Sequence, residues 1–137
     1  MDRRRALCHM GVGVVGIVGC AGIPTYTAAI QQKNLRLDGT EIEAALLERG
    51  AIRIRAPGAS ADIVLMRGAD GELSALSMTC SHLGCQVRPG GDFLVCPCHG
   101  STFDRRGAVV RGPAQKPLQT YEVHRLDGYV IISVADI

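Results

Sequence analysis

Four cysteines and two histidines fall within twenty residues, from Cys80 to His99, and that cluster constrains the chain more than any other feature. The first group reads Cys80-Ser81-His82-Leu83-Gly84-Cys85. The second reads Cys96-Pro97-Cys98-His99-Gly100-Ser101-Thr102-Phe103-Asp104. Each places a Cys and a His within two or three residues of one another, and each follows a short apolar run of strand character. Two such loops can aim four ligands at one place. Cysteines clustered in this way point to a metal site, a disulfide or both.

The chain around them is small. Its 137 residues allow one modest domain and a short extension, with five aromatic residues and no tryptophan to fill a core. A core of that size often depends on a metal or covalent staple. Net charge is +2, and Arg3, Arg4 and Arg5 account for the excess. From Gln31 onward 12 basic residues face 12 acidic ones. A balanced head offers no electrostatic reason to expect nucleic acid as a partner.

The first thirty residues read as an address. Three arginines precede a stretch free of Asp, Glu, Lys and Arg from Ala6 to Gln32. A positive end before an apolar run is the pattern of an export or anchor signal. Paired arginines followed by Ala6 and Leu7 also resemble a twin-arginine signal. Met10 to Ile30 is long enough to span a bilayer, which takes about 20 apolar residues. Ile17-Val18-Gly19-Cys20 also resembles a lipoprotein cleavage box, with Cys20 lipidated, and plain cleavage is the third outcome. All three place the head outside the cytoplasm. Residues 31–42, with Asp38-Gly39-Thr40, read as a polar linker, and 43–137 as the head.

The head reads as all-β. Ile52 and Ile54 alternate with Arg53 and Arg55, a half-buried strand ended by Pro57-Gly58. Ile63 to Met66 is a buried strand closed by a turn over Gly68–Gly71. Leu73–Leu76 leads into the first cysteine. Phe93–Val95 leads into the second group after a turn over Arg88–Gly91. Tyr121–His124 and Tyr129–Ile132 flank Asp127-Gly128, a strong short hairpin signal. The one helical candidate is Glu41 to Glu48, which could equally be a strand and a turn. Strands at this spacing predict a small antiparallel sandwich or open barrel.

The two boxes, C-x-H-x-G-C and C-x-C-H-G-S, in this order with ten residues between Cys85 and Cys96, resemble the Rieske iron–sulfur family. In a Rieske [2Fe–2S] centre two His replace two Cys on one iron. The resemblance implies thiolate ligands from Cys80 and Cys96, imidazole ligands from His82 and His99, and a Cys85–Cys98 disulfide joining the loops. It implies that the Ser101 hydroxyl bonds a bridging sulfide. High-potential relatives carry a tyrosine two residues on, where this chain has Phe103, which implies a lower potential. Gly112-Pro113-Ala114-Gln115-Lys116-Pro117-Leu118 resembles the family's Gly-Pro-Ala-Pro loop over the cluster, with Gln115 at the second Pro position.

Imidazole ligation leaves the second ring nitrogen free at the tip, so reduction couples to protonation, which suits a quinol donor. By the same resemblance His99 hydrogen-bonds the quinol hydroxyl and His82 shares the tip. The expected function is one-electron transfer as the iron–sulfur subunit of a quinol-oxidising cytochrome bc-type complex. Its partners would be a cytochrome b-type membrane subunit and a c-type cytochrome. The alternative is a standalone lipoprotein carrier, or the small subunit of an exported molybdenum oxidoreductase of the arsenite oxidase kind. A cytoplasmic ferredoxin for a ring-hydroxylating dioxygenase would lack the extra cysteine pair. A Cys2His2 set can also bind one tetrahedral zinc. The two extra cysteines, the Gly-Ser after His99 and the exported location favour iron and sulfur. His124, His9 and Cys8 fit no ligand spacing. Arg105 and Arg106 read as a solvated turn or part of a docking rim.

Overall fold

The computed structural model describes residues 22–135. Thirteen strands and one helix in these residues form three layers, each a separate sheet. The middle sheet has the order β1 (Thr25–Thr27), β4 (Ala51–Arg55), β5 (Ile63–Arg67), β6 (Leu73–Ser77), β11 (Thr120–Tyr121). On one side lies a sheet of β12 (Val123–Leu126), β13 (Tyr129–Ser133), β3 (Asn34–Asp38) and β2 (Ile30–Gln31), joined by helix α1 (Gly39–Arg49). On the other lies a sheet of β10 (Val109–Arg111), β9 (Thr102–Phe103), β8 (Phe93–Val95) and β7 (Arg88–Gly90).

This layering explains why Ile63–Met66 is apolar without a break. A strand buried on both faces reads as a continuous hydrophobic run. Ile63 and Leu65 point into one core with Leu35, Leu37, Ile42, Leu46, Ile52, Ile54, Val130 and Ile132. Val64 and Met66 point the opposite way, into a second core with Leu76, Met78, Val87, Leu94, Phe103 and Leu118. Cys80 and Cys96 belong to that second core. The first core holds the sandwich together, and the second seats the cysteine loops on it.

The expected all-β sandwich is present, with two departures. The segment 31–42, read as a linker, carries β2, β3 and the first turn of α1 instead. Leu35 and Leu37 alternate with Arg36 and are buried by antiparallel pairing with β13, from Asn34↔Ser133 to Asp38↔Tyr129. Asp38-Gly39-Thr40 is a helix start: the Asp38 carboxylate accepts from the Glu41 amide at 3.0 Å. Gly39 is required there, because a Cβ would stand 2.5 Å from the carbonyl oxygen of Gly128. Of the segment expected as an address over residues 1–30, the structure describes the part from Gly22. Thr25–Thr27 is an edge strand, parallel to β4, with Tyr26 packed on the first core. Residues 1–21, including the arginines, Cys8, His9 and Cys20, lie outside the described residues. Among the described residues no helix is long and apolar enough to cross a membrane.

Two local readings are refined. Arg88–Gly90 is a strand rather than part of a turn, and Pro89 is tolerated because β7 is an edge strand. Asp127 and Gly128 both have positive φ, 50° and 80°, which is the two-residue hairpin turn that the dipeptide signals.

Candidate metal centre

The Cys80 loop connects β6 to β7, and the Cys96 loop connects β8 to β9. Their backbones repeat one another. The Cys80 amide donates to the Cys85 carbonyl and the Gly84 amide to the Cys80 carbonyl, at 2.7 and 3.0 Å. The Cys96 amide donates to the Ser101 carbonyl and the Gly100 amide to the Cys96 carbonyl, at 2.8 and 2.9 Å. Gly84 and Gly100 close the two turns at φ 79° and 80°, a conformation that glycine adopts without a Cβ penalty. The glycine four residues after each leading cysteine is therefore a backbone requirement of both boxes.

The matching turns sort the side chains by depth. Cys80 and Cys96 are 3% and 2% exposed and carry free thiols. His82 and His99 are exposed, with ring centroids 5.2 Å apart and planes nearly perpendicular. Cys85 and Cys98 form a disulfide across the loops, with Cα atoms 6.5 Å apart. The sulfurs of Cys85, Cys96 and Cys98 lie within 4.8 Å of one another. Two of these three are bonded together, so only Cys96 offers a thiolate. Burial pushes the Cys80 thiol up. The amides of His82 and Leu83 favour the thiolate, while the facing Cys96 sulfur opposes it.

A third loop, Gly112 to Leu118, is tied to both others. The Ala114 amide donates to the Ser101 hydroxyl oxygen at 3.0 Å. The Ser81 hydroxyl donates to the Lys116 carbonyl at 2.5 Å. The Leu118 amide donates to the carbonyl of Gly107 at 2.9 Å. Ser101 is wholly buried and accepts from Ala114, which leaves its own proton to donate elsewhere in the site. Nothing in the local sequence marks Ser81. It sits between two expected ligands, but its partner is 35 residues away, and no local pattern announces that bond. His124 stands exposed on β12, in a different sheet from both loops. Arg105 pairs with Asp92, and Arg106 is exposed.

The donor set matches a two-iron cluster with mixed ligation. It comprises two buried sulfurs, two exposed imidazoles on the same two loops, and a buried hydroxyl with a proton to give. A single tetrahedral zinc would use the same four side chains but leave that buried proton without a sulfide acceptor.

Comparison with known proteins agrees with this geometry. The family description "Rieske [2Fe-2S] domain" matches residues 28–122. The cytochrome b6-f complex iron-sulfur subunit of Chlorobaculum tepidum is 38% identical over 76 residues, covering 54% of this chain and 42% of that protein. The corresponding subunit of Chlorobaculum thiosulfatiphilum is 30% identical over 139 residues, covering 96% of this chain and 76% of that one. The chain thus spans about two fifths of the length of the first of these relatives. Among solved structures, the cyanobacterial plasma membrane Rieske protein PetC3 from Synechocystis superposes with TM-score 0.59 at 32% identity, covering 66% of this chain and 92% of that one. A chain from the complex of reduced oxygenase and oxidized ferredoxin in carbazole 1,9a-dioxygenase superposes with TM-score 0.60 at 26% identity, covering 75% and 94%. On its fold, its paired loops and the match across 28–122, this chain is a member of the Rieske [2Fe-2S] domain family.

Proposed function

We propose that Cys80, Cys96, His82 and His99 hold one [2Fe–2S] cluster, and that the chain serves as the iron–sulfur subunit of a quinol-oxidising cytochrome bc-type complex. The observation that carries the reading is an exposed imidazole pair, ring centroids 5.2 Å apart, carried on the same two loops as two buried thiols. When bound, the cluster supplies one-electron transfer at a potential raised by neutral imidazole ligands. The chain's own residues do the rest. Cys80 and Cys96 fix the buried side, away from water. His82 and His99 present the only exposed ring nitrogens of the site, where a quinol hydroxyl can donate its hydrogen bond and leave its proton. Leu83, 68% exposed beside them, gives an apolar ring somewhere to rest. Ser101 holds its hydroxyl under the loops, and Ala114 orients it.

The Cys85–Cys98 disulfide supports an oxidising compartment, and therefore a head on the outer face of a membrane. The tether would be the apolar segment before Gly22. The partners on this reading are a cytochrome b-type membrane subunit as the quinol site and a c-type cytochrome as acceptor. Relatives named as cytochrome b6-f subunits support this assignment.

One observation favours the alternative, a standalone carrier or the small subunit of an exported molybdenum oxidoreductase. Residues 31–42, expected to be a polar linker, carry strand and the start of a helix. A head anchored that closely has little chain on which to swing between two partners.

Purification in mild detergent, followed by redox titration at several pH values, tests the proposal. Cytochrome b should co-purify. The potential should fall with rising pH by about 59 mV per unit in the alkaline range, the slope for one proton per electron. A molybdenum enzyme in place of cytochrome b would establish the alternative. A potential independent of pH, or a colourless protein, would end the quinol reading.

A further inference from the structure

Strand register sorts the charges of the cysteine-bearing sheet by end. Arg88 stands opposite Val95, and Arg111 opposite Thr102. Val95 runs straight into Cys96, and Thr102 directly follows Ser101, so Arg88 and Arg111 lie at the end that carries the cysteine loops. The opposite end holds the turns between β7 and β8 and between β9 and β10. There Asp92 pairs with Arg105, and the Asp104 carboxylate accepts from the amides of Arg106 and Ala108. The two turns meet, with these two acids and two arginines around one small cavity. That end is electrically balanced.

The loop end is not. It holds the cations Arg88, Arg111 and Lys116, and no Asp or Glu lies within the three loops or the strand ends that carry them. Outside 80–118, the remainder of residues 22–135 holds seven basic and nine acidic side chains, so the positive excess is collected at one end. All three cations are exposed, and none forms an ion pair among the described residues. The carbonyl of Lys116 accepts from the Ser81 hydroxyl at 2.5 Å, and Ser81 adjoins His82. Arg111 opens the third loop, and the hydroxyl of its strand partner Thr102 donates to the Gly100 carbonyl at 3.2 Å, next to His99. The third loop thus carries one cation tied to the first loop and another beside the second.

We propose that Arg88, Arg111 and Lys116 form a cationic rim that selects an acidic redox protein as the partner docking over the His82–His99 tip. The proposal rests on the role already proposed for that tip as the place where electrons enter and leave, and it names the chemistry of the protein met there. Donor and acceptor take turns at the same imidazoles. A quinol is uncharged and gains nothing from the rim, so the rim acts on the protein partner. Leu83, 68% exposed, is the apolar centre. An apolar centre within unpaired cations complements a redox edge ringed by carboxylates. An anionic lipid surface fits less well. Interfacial faces favour Trp and Tyr, the three loops hold neither, and Leu83 is their one exposed large hydrophobic side chain.

The test uses the full cluster-loaded chain in detergent with two soluble c-type cytochromes as probes, one acidic and one basic. Binding is read first, with both proteins oxidised so that no electron moves. The acidic probe should bind at least about tenfold more tightly at low ionic strength, a lead that shrinks at high salt as screening sets in. Zero-length carbodiimide coupling should join Lys116 to a carboxylate of that probe. The Arg111→Glu/Lys116→Glu variant should lose the lead while keeping the parent visible spectrum. The milder Arg111→Gln/Lys116→Gln pair should lose part of it and covers the case where charge reversal disturbs the third loop. Arg106→Glu, which reverses a charge at the far end of the sheet, should keep it. After reduction with dithionite and its removal, one electron passes to the ferric haem of the probe, which becomes ferrous, and the rates should follow the same order. Equal binding of both probes would overturn the proposal. So would an Arg106→Glu variant that loses as much as the rim variant, because net charge alone would then be acting. Binding to phosphatidylglycerol vesicles that is lost in the rim variants, with cytochrome binding intact, would assign the rim to a membrane and overturn it as well. Failure of the quinol reading shows instead in the pH dependence of the potential and leaves these affinities untouched.

Discussion

The amide of Ala114 donates to the hydroxyl of Ser101 across 3.0 Å, and both residues are buried. This one bond fastens the third loop to the second and fixes which way the serine proton can point. Ser101→Ala removes both effects. With the hydroxyl donating to a sulfide of the proposed cluster, its removal would lower the midpoint potential by on the order of 60 mV, the one-electron equivalent of about 1.4 kcal/mol. The Ala114 amide, left buried without an acceptor, should cost about 1–3 kcal/mol of stability. Potentiometry and denaturant unfolding read the two separately. A stability loss with no change in potential would show that the hydroxyl serves the loop alone.

Phe103 is fully buried on β9, opposite Leu94 and Val109, in the same core as Cys80 and Cys96. A tyrosine there would carry a hydroxyl into the region of the cysteine sulfurs. Phe103→Tyr should raise the potential by tens of millivolts, since a hydrogen bond worth about 1 kcal/mol shifts a one-electron couple by roughly 40 mV. A variant that folds, loads its cluster and keeps the parent potential would mean that the hydroxyl finds no sulfur.

The parts of this molecule legible in its sequence are those where local chemistry decides. Gly84 and Gly100 mark turns that only a residue at ease with positive φ closes cheaply. Asp127-Gly128 fixes its hairpin by the same logic. Ile63–Met66 announces burial on both faces by being apolar throughout. The strand within 31–42 is not legible locally, because its identity is settled from far away. Leu35 and Leu37 are only two apolar positions among polar ones, and their partners Ile132 and Val130 come more than ninety residues later. The bond from Ser81 to Lys116 is hidden for the same reason. The four proposed ligands stand out because their residue types are rare together, and the turns that carry them are closed by local hydrogen bonds.

Tyr121 gives the fold an alkaline limit. Burial pushes its phenol above the ordinary value, with a smaller opposing effect from its hydrogen bond with Ser77. A group held neutral in the fold but free to ionise when unfolded contributes stability that is complete below its unfolded pKa, about 10, and is lost as pH rises through the folded value. Tyr26 is raised for the same leading reason, with Glu41 and Glu48 adding to it. Unfolding free energy should therefore be flat near neutrality with respect to these groups and fall above pH ~10. Tyr121→Phe should make that fall shallower. A variant whose alkaline slope matches the parent would move the effect to other groups.

The Cys85–Cys98 bond joins loops that also meet through the third loop, the sheet beneath and the edge-on His82–His99 contact. Its sequence separation is 13, a loop whose closure is worth at most about 3 kcal/mol. That stabilisation should not spread evenly. The sandwich has its own core of Leu35, Ile42, Ile54 and Ile132, with no cysteine in it, while Cys85 packs against the second core. Replacing both cysteines by alanine should loosen the cluster-bearing sheet and leave the sandwich folded. It would also open the Cys96 sulfur, which lies within 4.8 Å of both disulfide sulfurs, to water. Visible absorbance from the cluster should then disappear at a lower denaturant concentration than the far-ultraviolet signal, whereas in the parent the two losses should nearly coincide. Coincident transitions in the variant would show that the two cores unfold as one unit, and that the bond stabilises the whole head rather than the loops it joins.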